Sequence, residues 1–121
     1  MGNNFNNIYV DNCRNEWHIE YFNNQVQQSV LALSPTLLSQ YLRKVELMER
    51  FGADLGMPHT RAFGKGLFEL RLKGKEGIAR IFYCQVIGKR IVMLHCFRKK
   101  TLATSKSALD LARKRLKKVI P

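Results

Sequence analysis

The sequence predicts an α+β domain in which an N-terminal strand and a helical hairpin pack on an antiparallel sheet, with a basic helix closing the chain. Three observations predict it. Residues 67–98 read as three short apolar strands separated by two glycine-containing turns. Residues 24–51 place apolar side chains at three-to-four spacing, the period of helices with one buried face. Positive charge is concentrated in the second half: residues 1–56 carry four Lys+Arg against six Asp+Glu, and residues 57–121 carry 17 against three, within a net charge of +12.

A chain of 121 residues with 45% hydrophobic content fits one domain with a modest core. That domain is expected over residues 17–121, with residues 1–16 (MGNNFNNIYVDNCRNE) a disordered polar lead-in. No run approaches the ~18–20 consecutive apolar residues of a membrane span, and no apolar signal segment opens the chain. Cys13, Cys84 and Cys96 show neither metal-ligand spacing nor an even disulfide set. A reduced, cytoplasmic protein with no metal or cofactor is therefore expected. The charge asymmetry calls for a polyanionic partner (RNA, DNA or an acidic protein). The sheet has no exposed apolar stripe for a membrane surface.

Each element follows from a local signal. Trp17–Phe22 alternates, with Trp17, Ile19 and Tyr21 on one side, as a strand does. Asn23 or Asn24 caps a short helix to about Leu33, with Val26, Val30 and Leu33 inward. Ser34 and Pro35 restart the chain as N-cap and first helical residue. This second helix runs to about Phe51 on a stripe of Leu38, Tyr41, Leu42, Val45 and Met48, and Gly52 ends it. Residues 53–66 read as a loop. The strands follow at about Leu67–Lys73, Ile78–Val86 and Arg90–Arg98, with a four-residue first turn and a two-residue second turn at Gly88 and Lys89. A third helix, about Thr104–Val119, sets Leu109, Ala112, Leu116 and Val119 against a dense basic surface of Arg113, Lys114, Arg115, Lys117 and Lys118.

The turns fix a register. Arg71 faces Arg80, Glu69 faces Phe82, Phe82 faces His95, and Arg80 faces Phe97. Alternation then puts Phe68, Leu70, Leu72, Ala79, Ile81, Tyr83, Val92, Leu94 and Cys96 on a core face. Glu69, Arg71, Lys73, Arg80, Phe82, His95, Phe97 and Lys99 share the other. Two arginines directly across a strand pair repel, and a bound anion removes the repulsion. With aromatic rings beside them, phosphate plus base is a natural ligand. The competing reading is a solvated face: Arg80 in a structural ion pair with Glu69, His95 packed in its strand, Lys99 and Lys100 as plain surface charge.

The order strand, two helices, three-stranded meander and basic helix resembles the RelE/ParE toxin superfamily. The strings MPHT (57–60), GLFELR (66–71), GIARIFY (77–83), LHCFRKKT (94–101) and LARKRL (111–116) resemble its phage-derived, HigB-type branch, over about residues 17–119. The resemblance implies the toxin of a type II toxin–antitoxin pair, a ribosome-dependent mRNA endonuclease. Its implied partners are mRNA in the 30S A site, a cognate helix-turn-helix antitoxin, and operator DNA only through that antitoxin.

It also implies basic residues on the sheet face, and Arg71, Arg80 and Lys99 or Lys100 match those positions. Glu69 departs from the family's first basic position. No tyrosine follows the last strand in residues 101–107. His95 or Glu69 is left to move the proton. Phe82 and Phe97 are expected to stack on a base or pack the site, with Lys73, Arg98 and Lys65 as further RNA-binding candidates. Two other classes stay open, a ParE-like inhibitor of DNA gyrase and a non-enzymatic nucleic-acid-binding protein.

Overall fold

The computed structural model describes residues 16–99 and 105–120. They form β1 (His18–Tyr21), α1 (Asn24–Leu31), α2 (Pro35–Phe51), β2 (Thr60–Ala62), β3 (Leu67–Gly74), β4 (Gly77–Val86), β5 (Arg90–Lys99) and α3 (Lys106–Val119). The lead-in (all but Glu16), Cys13 and Lys100 lie outside the described residues. Among the described residues no helix is long and apolar enough to cross a membrane.

Caps set the helix ends. The Asn23 side chain accepts the Val26 N–H to open α1. Pro35 begins α2, and Gly52, at φ +97°, ends it with its N–H on the Met48 carbonyl. The buried stripe of α2 is Leu37, Tyr41, Val45 and Met48. Leu42, expected inside, is 55% exposed. The rotation has a polar cause. Gln40 accepts the Lys73 N–H and donates to the Lys73 carbonyl, each at 2.8 Å, and Lys44 donates to the Arg71 carbonyl. These side chains satisfy the part of the β3 edge that short β2 leaves uncovered.

The sheet has five strands in the order β1-β5-β4-β3-β2. It is mixed rather than wholly antiparallel, because β1 runs parallel to β5. The Glu20 carboxylate accepts two bonds of 2.8 Å from Arg90 beside that pairing. The stretch expected to be loop contains β2, which pairs Thr60 with Leu70 and Arg61 with Glu69. Thr60 Oγ1 accepts from the Leu55 and Gly56 N–H groups and fixes the chain entering β2.

The register over the outer face is the expected one, with Glu69 opposite Phe82, Arg71 opposite Arg80, Arg80 opposite Phe97 and Phe82 opposite His95. The second turn is one residue longer than expected, since Val86 and not Ile87 faces Arg90. A bulge between Phe82 and Tyr83, on the β5 side at Leu94, absorbs the extra residue. The bulge reverses the alternation. Ile91 and Met93 turn to the helical hairpin, and Val92 and Leu94, expected there, turn to the opposite face.

That opposite face is not simply wet. Leu67, Phe82, Cys84, Val92 and Leu94 form a second core beneath Ala108, Ala112 and Leu116 of α3. Two arginines expected on the basic surface of α3 anchor it instead. Arg113 donates to the Phe63 carbonyl at 3.0 Å. Arg115 donates at 2.6 Å to the carbonyl of the bulged Leu94, and its guanidinium lies 5.0 Å from the Phe22 ring centroid. Cys84 and Cys96 sit in separate cores as free thiols, pushed up by burial to about 11 and about 12.

Candidate functional site

Three cross-strand rows build the outer face beyond α3. Arg61, Glu69, Phe82 and His95 form one, Arg71, Arg80 and Phe97 the next, and Lys73, Ile78 and Lys99 the third. The meander places these side chains together by pairing alone, so the site rests on rigid strands.

Glu69 is the hub. Its side chain is fully buried. Its Oε1 lies 3.3 Å from Arg71 Nη1 and 3.7 Å from Arg80 Nε. Arg80 is almost as deeply buried, and its Nη1 donates to the Ala79 carbonyl at 3.1 Å and the Leu72 carbonyl at 3.4 Å. Arg71 keeps 21% of its side chain exposed. Glu69 Oε2 has no hydrogen-bond partner among the described residues.

Positive charge exceeds what this carboxylate neutralises. Burial first, then Arg71, hold Arg80 below the ordinary arginine value although Glu69 pulls the other way. Burial, followed by Arg80, Arg43 and Arg71, lowers Lys44. Burial and then Arg80 lower Lys99, with Glu69 opposing and Arg71 adding to the shift. Arg71, Arg80 and Lys99 thus gather around Glu69, and Lys44 lies beside the two arginines. Such a surplus favours an anion, and guanidinium forks match phosphate oxygens.

The sequence-expected residues divide clearly. Glu69, Arg71, Arg80 and Lys99 come together. Phe82 has no exposed surface, stacks on Phe97 at 5.6 Å and meets Phe63 edge-on, so it packs the site from beneath, the second of the two roles expected for it. Arg98 pairs with Ala79, a residue of the core under the hairpin, and so lies on the other face from Lys99. Lys73 is exposed at the end of the third row, and Lys65 sits in the β2–β3 turn away from the cluster.

His95 stacks on Phe97 at 5.2 Å but is separated from Glu69 by Phe82 in its own row. It lines a cavity of about 160 Å³ with Gln25, Ser29 and Arg115, and burial followed by Arg115 lowers its pKa below the ordinary histidine value. Lys44 was not legible as a site residue. Its signal is the i, i+4 pairing with Gln40, a polar stripe bordering the buried face of α2.

A family model described as "Phage derived protein Gp49-like" matches residues 28–117. The chain belongs to this phage-derived Gp49-like family. It is a RelE/HigB-like toxin family, and the fold agrees. A structure of a mutant E. coli toxin RelE in the free state superimposes with a TM-score of 0.63 at 11% identity, over 84% of this chain and 98% of that one. No curated protein matches the sequence. The Gp49-like match spans α2, the whole meander and most of α3, and so contains every member of the cation cluster. Among the described residues no three His, Cys, Asp or Glu side chains group as metal ligands.

Proposed function

We propose that this Gp49-like protein is the toxin of a type II toxin–antitoxin pair and cleaves mRNA on the ribosome without a metal ion. The observation that carries the reading is the surplus of cations gathered on one buried carboxylate, on a sheet face with Arg71 open to solvent. The substrate 2′-OH attacks the adjacent phosphorus and gives up its proton, the P–O5′ bond breaks, and the 5′-oxygen leaves as a hydroxyl with a proton from solvent; the other product is a 2′,3′-cyclic phosphate, which water can open to a 3′-phosphate. Arg71 and Lys99, with Lys100, contact the phosphoryl oxygens and offset the charge that grows on them. Arg80 supplies field from below, and Glu69 holds the two arginines in place.

His95 is the preferred proton acceptor: it stacks on Phe97, which faces Arg80, and burial followed by Arg115 favours its neutral form. The ribosomal A site supplies the orientation of the scissile nucleotide, which is worth several kcal/mol in general. The helix-turn-helix antitoxin neutralises the toxin and alone contacts operator DNA, and both proteins act in the cytoplasm.

The test is an mRNA programmed on purified ribosomes, with and without a single 2′-deoxy substitution at the cut codon. Cleavage that needs the ribosome, leaves a 5′-hydroxyl and stops at the 2′-deoxy nucleotide supports the reading. Uncut mRNA together with inhibited gyrase supercoiling sinks it in favour of a topoisomerase inhibitor.

A further inference from the structure

Strand β1 pairs with β5 only as far as Met93, and the chain then leaves the sheet at Phe22 to enter α1. Beyond that point α1 and α3 meet the edge of β5. The cavity of about 160 Å³ lies there, lined by Gln25, Val26 and Ser29 of α1, His95 of β5, and Leu111 and Arg115 of α3. At roughly 30 Å³ per water molecule it has room for about five waters, the space of one flat ring system and not of a peptide segment. We propose that this cavity takes one unstacked purine base flanking the scissile phosphate, and that Gln25 and Ser29 are specificity-determining residues. The proposal rests on the reading that RNA is the substrate.

His95 joins the cavity to the cation cluster. Its ring stacks on Phe97 at 5.2 Å with 16° between the planes, and Phe97 faces Arg80 across the strand pair. His95 and Phe97 are two residues apart on one face of β5, about 7 Å at roughly 3.3 Å per residue. A nucleotide swung out from a phosphate at the cluster covers such a step. RNA is read in this way, by splaying single bases into side-chain pockets.

The lining selects a base edge over other ligands. The Gln25 amide and the Ser29 hydroxyl each donate and accept, and Arg115 donates. Val26 and Leu111 offer apolar contact to a ring. Glutamine and arginine are the side chains that make two-point contacts with purines, to adenine N6 and N7 and to guanine O6 and N7. No acidic residue lines the cavity to repel the acceptor atoms of a purine.

A phosphate fits less well. Arg115 is the one permanent cation in the lining, and it already donates to the Leu94 carbonyl at 2.6 Å and lies over the Phe22 ring. Burial followed by Arg115 favours the neutral imidazole of His95, which suits an uncharged base. The anchored guanidinium is also set in place before a base arrives, which lowers the ordering cost of binding.

The test uses the full chain and mRNAs programmed on purified ribosomes, identical except for a purine or a pyrimidine at each position flanking the cut. The parent is expected to cleave the purine form of one position faster by about tenfold or more in kcat/KM. Gln25→Ala with Ser29→Ala is expected to bring that ratio within about threefold of one. Its melting temperature is expected to be no lower than the parent's, since alanine is the better helix former. Gln27→Ala with Gln28→Ala, at exposed positions of α1 outside the cavity, is expected to keep the preference.

A parent with no purine preference would overturn the proposal. So would an equal loss on purine and pyrimidine codons in the Gln25 and Ser29 variant. Where the parent cuts no RNA at all, the functional reading fails, and a binding measurement decides the cavity on its own. Adenosine and guanosine monophosphates are expected to shift the Gln25 side-chain amide resonances of the full chain, whereas cytidine and uridine monophosphates and ribose 5-phosphate leave them in place. No purine-dependent shift, or the same shift with ribose 5-phosphate, would overturn it.

Discussion

Glu69→Gln removes one charge at almost constant volume and tests whether the carboxylate clamps the site. Its Oε1 lies 3.3 Å from Arg71 Nη1 and 3.7 Å from Arg80 Nε. At an effective dielectric near 20 the gross attractions are about 5 and about 4.5 kcal/mol. Desolvation of Glu69 and Arg80 consumes most of this, but the substitution leaves the Arg80 cation buried and facing Arg71. Breaking one partner out of a buried pair costs about 3–5 kcal/mol. Taking ~3 kcal/mol, a domain of this size loses roughly 10 °C of melting temperature.

The assay is urea denaturation of Glu69→Gln, Arg80→Met and the double variant. The double variant should be more stable than the sum of the single losses requires, by about 2 kcal/mol, because it leaves no unpaired buried charge. Additive losses, or a Glu69→Gln protein within about 1 kcal/mol of the parent, would refute the clamp.

Arg115→Ala removes a 2.6 Å bond to the Leu94 carbonyl and the cation over Phe22. It should cost about 2 kcal/mol in denaturant melts and raise hydrogen exchange in α3 before the meander. Gly74→Ala places a Cβ 2.9 Å from Thr36 Cγ2 and 3.3 Å from Leu37 Cδ2; thermal melts should show a loss of about 1–2 kcal/mol as α2 is pushed from the sheet. The lowered pKa of His95 gives a signed pH effect. The unfolded chain takes up the proton first, so the contribution of His95 is complete above the unfolded value near ~6.5 and is lost as pH falls toward the folded value. Melting temperature should therefore fall more steeply below pH ~6.5 in the parent than in His95→Gln, and parallel slopes would contradict it.

What could be read from the sequence was whatever alternation and turn length control. The pairing of Arg71 with Arg80 and of Phe82 with His95 follows from counting back through two turns, and it survives a miscounted second turn because the Leu94 bulge restores the phase. The bulge itself was invisible. Residues 91–94 (IVML) are apolar at every position, so no alternation marks where it slips. That unbroken run did carry a signal, because a strand apolar on both sides is covered on both sides, here by the hairpin and by α3.

Other features depended on distant partners. Strand β2 is three residues long and owes its existence to backbone bonds with β3. The parallel pairing of β1 is a property of the whole crossover, not of Trp17–Phe22. Of the candidate site, the arginines and Glu69 were legible because they share one sheet face. Lys44 was not, because it reaches the cluster from α2 across the sheet edge, and the inward turn of Arg113 and Arg115 depends on carbonyls far away in sequence.

The most direct measurement of the central claim is primer extension on a cellular mRNA after brief induction of the parent, Arg80→Ala and Arg71→Ala, each confirmed as folded by circular dichroism. Arg71 is the partly exposed arginine of the cluster and Arg80 the buried one. Cuts within translated codons are expected in the parent, absent in Arg71→Ala and much reduced in Arg80→Ala. Growth arrest with intact mRNA, or codon cuts that persist in a folded Arg71→Ala protein, would contradict it.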